Sequence, residues 1–276
     1  MKKPETMFDL TGRVAVITGG TGLLGQQHAE AIASAGGIPV LADIRLDSVD
    51  PQSAAFKEHF GEQACAIKTD ITKSESVKAL LAEVLNRYGR VDILINNAAN
   101  NPKMEKTAEV EFSRLENFPL MQWEADLSVG LTGAFLCSQI IGSEMAKHKH
   151  GVIVNVASDL AVIAPDQRLY RKPGLPADQQ PVKPVTYSVV KTGLIGLTRY
   201  LATYWADAGI RVNAISPGGV YNNQLDDFVQ RLANLIPMGR MANADEYQAA
   251  ILYLCSDASS YMTGTNMVID GGRSCW

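Results

Sequence analysis

"RVAVITGGTGLLGQQHA", residues 13–29, runs from an apolar stretch through four glycines into a segment of helical periodicity. Valine, alanine and isoleucine fill 14–17 without alternation, the pattern of a strand covered on both faces. Gly19, Gly20, Gly22 and Gly25 then allow a tight turn and a close backbone approach. The helix that opens after them offers unpaired N–H groups and a positive dipole end, a setting suited to a pyrophosphate. Strand, glycine turn and helix in that order are the context a dinucleotide-binding loop requires. Gly19, Thr21, Gly22, Leu24 and Gly25 are the expected loop contacts.

Asp43 closes the next apolar run, where a carboxylate can accept hydrogen bonds from adenosine ribose hydroxyls. It would repel the extra phosphate of NADP, so NAD is the expected cofactor, with Arg45 nearby as the one residue that pulls the other way. The plain alternative for Asp43 is a turn residue at a strand end.

The same rhythm continues along the chain. Residues 13–18, 38–43, 64–70, 91–96, 151–158, 210–216 and 266–270 read as strands, and 23–36, 74–88, 121–148, 185–208 and 243–256 as helices. Strand–helix alternation implies right-handed crossovers and an α/β fold with a doubly wound parallel sheet. Residues 1–276 are expected to form a single domain. "PDQRLYRKPGLPADQQPVKP", 165–184, breaks the pattern with five prolines. It reads as an insertion, ordered or mobile, within that domain.

Composition narrows the function. Of 276 residues 46% are hydrophobic and 20% charged, enough for a sizeable core. The 25 basic and 29 acidic side chains give a net charge of −4 and are mixed along the chain. No basic stripe for nucleic acid and no polybasic tail for a membrane surface is present. No uninterrupted apolar run approaches the roughly 20 residues that cross a bilayer. The opening "MKKPETMFDLTGR" has no apolar stretch after its lysines, so no secretory leader is expected. Cys65, Cys137, Cys255 and Cys275 are widely spaced, the usage of a reducing cytosol rather than of a metal site. A soluble cytoplasmic protein is expected.

"PVTYSVVK", 184–191, places Tyr187 four residues before Lys191. On a helix these share a face, and an ammonium beside a phenol favours the phenolate, lowering a pKa that starts near ~10. An acid/base works best when its pKa approaches ambient pH. Ser158 ends the fifth strand, at the edge where open α/β sheets bind ligands; its alternative role is a cap or turn serine.

"TGGTGLLG", "NNAA" (96–99), "VNVAS" ending at Ser158, "YSVVK" and "SPGG" (216–219) occur in an order that resembles the short-chain dehydrogenase/reductase family, across about residues 8–272. The resemblance implies a seven-stranded Rossmann-type sheet, a nicotinamide cofactor, carbonyl/alcohol interconversion and a homotetramer or homodimer. It implies that Tyr187 is the general acid/base, that Lys191 tunes it and grips the nicotinamide ribose, and that Ser158 holds the substrate oxygen. Asp70 and Ile71 should contact adenine, Asn97 and Ala98 the ribose and cleft wall, and Pro217, Gly218 and Val220 the nicotinamide.

The sequence departs from the family in three places. The glycine spacing resembles the branch rich in nucleotide-sugar epimerases and dehydratases. Gly130 stands where the family usually has an asparagine that kinks a helix and holds a relay water; the expectation is a backbone-and-water relay, a group supplied from elsewhere, or slow proton transfer. The insertion 165–184 separates Ser158 from Tyr187 and carries Arg168, Arg171, Lys172 and Lys183 against Asp166 and Asp178. It is expected either to cover the substrate or to be a solvated surface loop. "VIAPDQRLY" with "VTYSVVK" also resembles bacterial dehydrogenases linked to surface-carbohydrate biosynthesis. The leading expectation is an NAD-dependent dehydrogenase of a polyhydroxylated secondary alcohol. The alternatives are an epimerase or dehydratase, and a cofactor-binding protein with weak or lost catalysis.

Overall fold

Seven strands form one parallel sheet in the computed structural model, which describes residues 4–100 and 113–276. In chain order they are β1 (Val14–Thr18), β2 (Ile38–Asp43), β3 (Cys65–Lys68), β4 (Ile93–Asn96), β5 (Gly151–Val156), β6 (Ile210–Pro217) and β7 (Asn266–Ile269). Across the sheet they stand β3-β2-β1-β4-β5-β6-β7. The chain moves outward from β1 to β3, returns to place β4 beside β1, and then moves outward the other way. That reversal opens a crevice at the carboxyl ends of β1 and β4, where such sheets take ligands.

The helices are α1 (Leu23–Ser34), α2 (Ala54–Phe60), α3 (Ser74–Tyr88), α4 (Leu120–Leu127), α5 (Gly133–Cys137), α6 (Ser143–Lys147), α7 (Val185–Tyr204), α8 (Asp226–Ala233) and α9 (Gln248–Cys255). They cover both faces of the sheet, which explains the unbroken apolar strands. Val14 and Val16 pack with Leu80 of α3, Met145 of α6 and Leu201 of α7, while Ala15 and Ile17 pack with Ile32 of α1, Phe56 of α2 and Leu254 of α9. Successive strand side chains point to opposite faces, and each fully buried Val, Leu or Ile contributes about 1.5–3 kcal/mol. The short helices α2 and α8 were not among the expected elements.

The helix expected at 121–148 is continuous from Leu120 to Lys147, and by length and composition alone it could cross a membrane. Here it is a core helix: Cys137, Ile141 and Met145 are fully buried against the sheet. Two π-helical turns, Ser128–Thr132 and Ser138–Gly142, interrupt it and separate α4, α5 and α6. Such bulges bend a helix and commonly sit near functional sites.

The insertion packs on the molecule along one side and exposes Arg168, Arg171 and residues 176–179 on the other. Its 3-10 turn Gln167–Tyr170 places Leu169 in a small core with Leu232, Ile236 and Met241, and sets Tyr170 against Phe228 of α8, the rings tilted with centres 5.8 Å apart. The Gln180 side chain accepts from the Lys172 N–H (2.8 Å) and donates to the carbonyls of Lys172 (3.0 Å) and Leu175 (2.6 Å), pinching the loop shut. All four cysteines are free, and all but Cys275 are buried.

Candidate active site

Two adjoining cavities lie along the crevice. The first, of about 760 Å³, is lined by Gly19, Thr21, Gly22, Leu24, Asp43, Asp70, Ile71, Asn97 and Ala98. Sequence reasoning singled out each of these. Gly25 is the exception: it does not line the cavity, and a Cβ on it would run into the Gly19 carbonyl, so its smallness lets α1 pack onto the loop. Gly22 caps α1 without a side chain, so no side-chain cap hydrogen bond occupies the first-turn N–H groups among the described residues. Asp43 holds the loop as well as facing the cavity. Its carboxylate accepts from the Thr21 hydroxyl at 2.8 Å and the Thr21 N–H at 3.2 Å. Asn97 spends its amide N–H groups on the carbonyls of Thr18 and Gly19, both at 3.0 Å, so it clamps the loop to β4. Asp70 accepts from the Thr72 hydroxyl at 2.6 Å, which with neighbouring Lys73 lowers its carboxyl pKa. A helix N-terminus flanked by a strand-end carboxylate fits the pyrophosphate and ribose of a dinucleotide.

The second cavity, of about 770 Å³, shares Leu23, Leu24, Arg45 and Asn97 with the first. Ser158, Tyr187 and Lys191 line it, and so do Pro217, Gly218 and Val220. Ser158 follows β5, and its hydroxyl donates to Asp159 at 2.9 Å and accepts from the Leu160 N–H at 3.2 Å. The serine therefore also caps the 3-10 turn Asp159–Ala161. Lys191 is buried and donates to the Val156 carbonyl at 2.7 Å, which pins the ammonium to the end of β5.

The electrostatics of the phenol differ from the sequence expectation. Lys191 Nζ lies 6.0 Å from the Tyr187 ring centre. Burial pushes the Tyr187 pKa up, the Ser158 hydroxyl beside it opposes that rise, and Asp159 adds to it. The tuning expected of Lys191 does not outweigh burial. Burial brings Lys191 itself down to about 8, with Lys183 adding to the effect. The ammonium nearest the ring is Lys183, from the insertion, 3.8 Å above its centre. Burial lowers Lys183 to about 8 too, against the pull of Asp159.

Three further features escaped sequence reasoning in their role. Gly130 sits in the first π turn, and a Cβ there would lie 2.5 Å from Val190 Cγ1 of α7. Val190 thus fills the volume a relay asparagine would need. Arg273, near the last residues, forms a buried ion pair with Asp159 at 2.7 Å, and Asp159 in turn receives the Ser158 hydroxyl proton. Beneath them Asn96 donates to Asn155 (2.8 Å) and Asn155 to Thr198 (2.8 Å), a buried polar ladder tying β4, β5 and α7 together. The only sequence signal for these was position: Gly130 departs from a family pattern, while Lys183 and Arg273 each sit a few residues from a recognisable motif.

Comparison with known proteins agrees with this geometry. A family model described as short chain dehydrogenase matches residues 13–170, and one described as enoyl-(acyl carrier protein) reductase matches 178–274. An NAD-dependent glycerol dehydrogenase of Listeria innocua is 34% identical, covering 96% of this chain and 95% of its own length. A D-threitol dehydrogenase of Mycolicibacterium smegmatis is 31% identical, covering 96% and 94%. Among solved structures, a gluconate 5-dehydrogenase from Burkholderia cenocepacia, in complex with NADP and tartrate, superposes with a TM-score of 0.83. It is 26% identical and covers 98% of each chain.

Proposed function

The chain belongs to the short-chain dehydrogenase/reductase family, and from that premise we propose that it is an NAD-dependent dehydrogenase interconverting a secondary alcohol and a ketone on a polyhydroxylated, sugar-like substrate. The carrying observation is the convergence of Ser158, Tyr187 and Lys191 on one cavity that adjoins, through shared lining residues, the cavity lined by Asp43. The glycerol and threitol dehydrogenases that match along nearly the whole chain support the polyol class. They leave the epimerase alternative without support. NAD rather than NADP rests on Asp43, whose carboxylate would face the extra phosphate.

A bound nicotinamide would take up or release the hydride. The protein's part is the proton and the orientation. In oxidation the Tyr187 oxygen takes the substrate hydroxyl proton; in reduction it returns it. Ser158 holds the substrate oxygen as its charge changes, with its own hydroxyl aimed by Asp159. Arg273 fixes Asp159 in turn. Lys191, pinned to Val156, keeps a positive charge below the phenol while pH stays under about 8. A homodimer or homotetramer is part of this reading, supported by Tyr200 and Tyr204, stacked at 5.7 Å and exposed on α7.

The test is Tyr187→Phe. Turnover should fall by roughly 100- to 10,000-fold, the usual worth of a positioned acid/base, while NADH affinity by fluorescence titration stays within about twofold of wild type. Activity retained in Tyr187→Phe would remove the acid/base assignment.

A further inference from the structure

The substrate wall carries more positive charge than the proposed polyol chemistry uses. Arg171 and Lys172 of the insertion and Arg231 of α8 all line the cavity that holds Ser158 and Tyr187. The Arg231 guanidinium donates to the Arg171 carbonyl at 2.9 Å and to the Asp227 carbonyl at 3.2 Å, which sets it at the base of the exposed Arg171 side chain. Their surroundings leave this charge largely uncompensated. Asp166, the insertion's acid nearest this wall in sequence, is held by Arg168 at 2.7 Å outside the cavity lining. Asp178 does not line the cavity either. Asp159 is taken by Arg273. The remaining acid, Asp227, is exposed and 4.0 Å from Arg231, a solvated pair of little worth. Arg171 and Lys172 form no ion pair among the described residues.

These cations do not sit on a loose loop. Leu169 and Tyr170 immediately before them are packed on α8, and Gln180 bonds both backbone groups of Lys172. Like charges gathered on an anchored backbone beside a reaction site repel one another unless an anion joins them, and guanidinium groups bind carboxylate or phosphate oxygens through paired, charge-assisted hydrogen bonds.

We propose that Arg171, Lys172 and Arg231 form an anion subsite, and that the substrate is a polyol bearing a terminal phosphate or carboxylate. This rests on the dehydrogenase reading above and narrows it. Phosphate and carboxylate share the required chemistry: two or more oxygens carrying negative charge at the end remote from the reacting carbon.

The experiment uses the full chain and matched triplets of three to six carbons, each a polyol, its terminal phosphate and its aldonate. Glycerol, glycerol 3-phosphate and glycerate are the shortest set. Within the triplet turned over best, the preferred anion should exceed the neutral polyol in kcat/KM by about 10- to 100-fold, the worth of charge-assisted hydrogen bonds. Which anion leads identifies the source. Arg171→Gln should bring the ratio close to one, and Arg231→Lys, which keeps the charge but loses the guanidinium fork, should lower it less. NADH affinity serves as the check that each variant is folded. Neutral and anionic members turned over equally, or Arg171→Gln lowering both alike, would overturn the subsite while leaving the dehydrogenase intact. Turnover of no member would count against the dehydrogenase reading instead. Calorimetric titration of glycerol 3-phosphate and, separately, of glycerate into the NADH complex then reads the subsite without chemistry: binding of either weakened about tenfold in Arg171→Gln supports it, and binding of neither overturns it.

Discussion

The two halves of the crevice are built by different means. The cofactor half comes from strand ends: Thr21 and Gly22 after β1, Asp43 at the end of β2, Asp70 after β3, Asn97 after β4. Its ionic residues are mostly acids, Asp43, Asp47 and Asp70, with Arg45 alone opposing them. The substrate half combines the strand ends at Ser158 and Pro217 with an insertion, two helices and the C-terminal segment, and its wall is basic. A parallel sheet dictates where strand ends meet, so short local motifs suffice for the first half. The second half depends on which distant segments pack on one another, and local sequence does not encode that choice.

The comparison can be broken most sharply at Ser158. Ser158→Ala should lower kcat about 100- to 1,000-fold, the cost of removing one oxyanion-type donor, with NADH binding unchanged, because the serine belongs to the substrate half alone. A parallel loss of NADH affinity would merge the halves. Asp43→Ala probes the other side. It should raise the NADPH-to-NADH ratio of kcat/KM by about tenfold or more, as expected from removing a like charge a few ångströms from a phosphate. No change in that ratio would detach Asp43 from cofactor choice.

A smaller effect is expected at Gly130. Gly130→Asn should cost about 1–3 kcal/mol of stability in urea unfolding, since the added side chain meets Val190 in a packed core. Val190→Ala in the same chain should recover much of it. Undiminished stability in the single variant would mean α7 yields easily there. Lys183→Met should act on pH dependence. An ammonium over the ring favours phenolate, so its removal raises the phenol pKa further, and oxidation needs the phenolate. Lys183 carries its charge only below about pH 8. In Lys183→Met, kcat/KM for alcohol oxidation should therefore fall below that pH, moving the ascending limb up, and should converge with wild type above it. Lys183→Arg keeps the limb in place. Lys191, Tyr170 and the Asp159–Arg273 pair also face this region and are unchanged by the substitution. A limb that stays put or moves down would show that the phenol does not sense Lys183.

These contrasts follow the line between what the sequence made legible and what it did not. The glycine loop, Asp43, Ser158 and the Tyr187–Lys191 pair were readable because each occupies a fixed place relative to a strand or a helical turn. The seven strands were readable because both sheet faces are covered and the apolar runs are unbroken. Lys183 above Tyr187 reads in the sequence only as a loop charge, since nothing in the spacing says the insertion folds back over the ring. The Arg273–Asp159 pair joins residues 114 positions apart. Val190 explains Gly130 only once α7 is seen against the first π turn. The helices α2 and α8 have seven and eight residues, too short for helical periodicity to distinguish them from loops.

The most direct test is to titrate the purified full chain with NADH and NADPH by fluorescence and then assay NADH formation across polyols and their anionic derivatives. NADH should bind more tightly than NADPH, and at least one polyol should be oxidised. Failure to bind either cofactor would contradict the phosphate site, and tight NADH binding without turnover of any secondary alcohol would contradict the dehydrogenase.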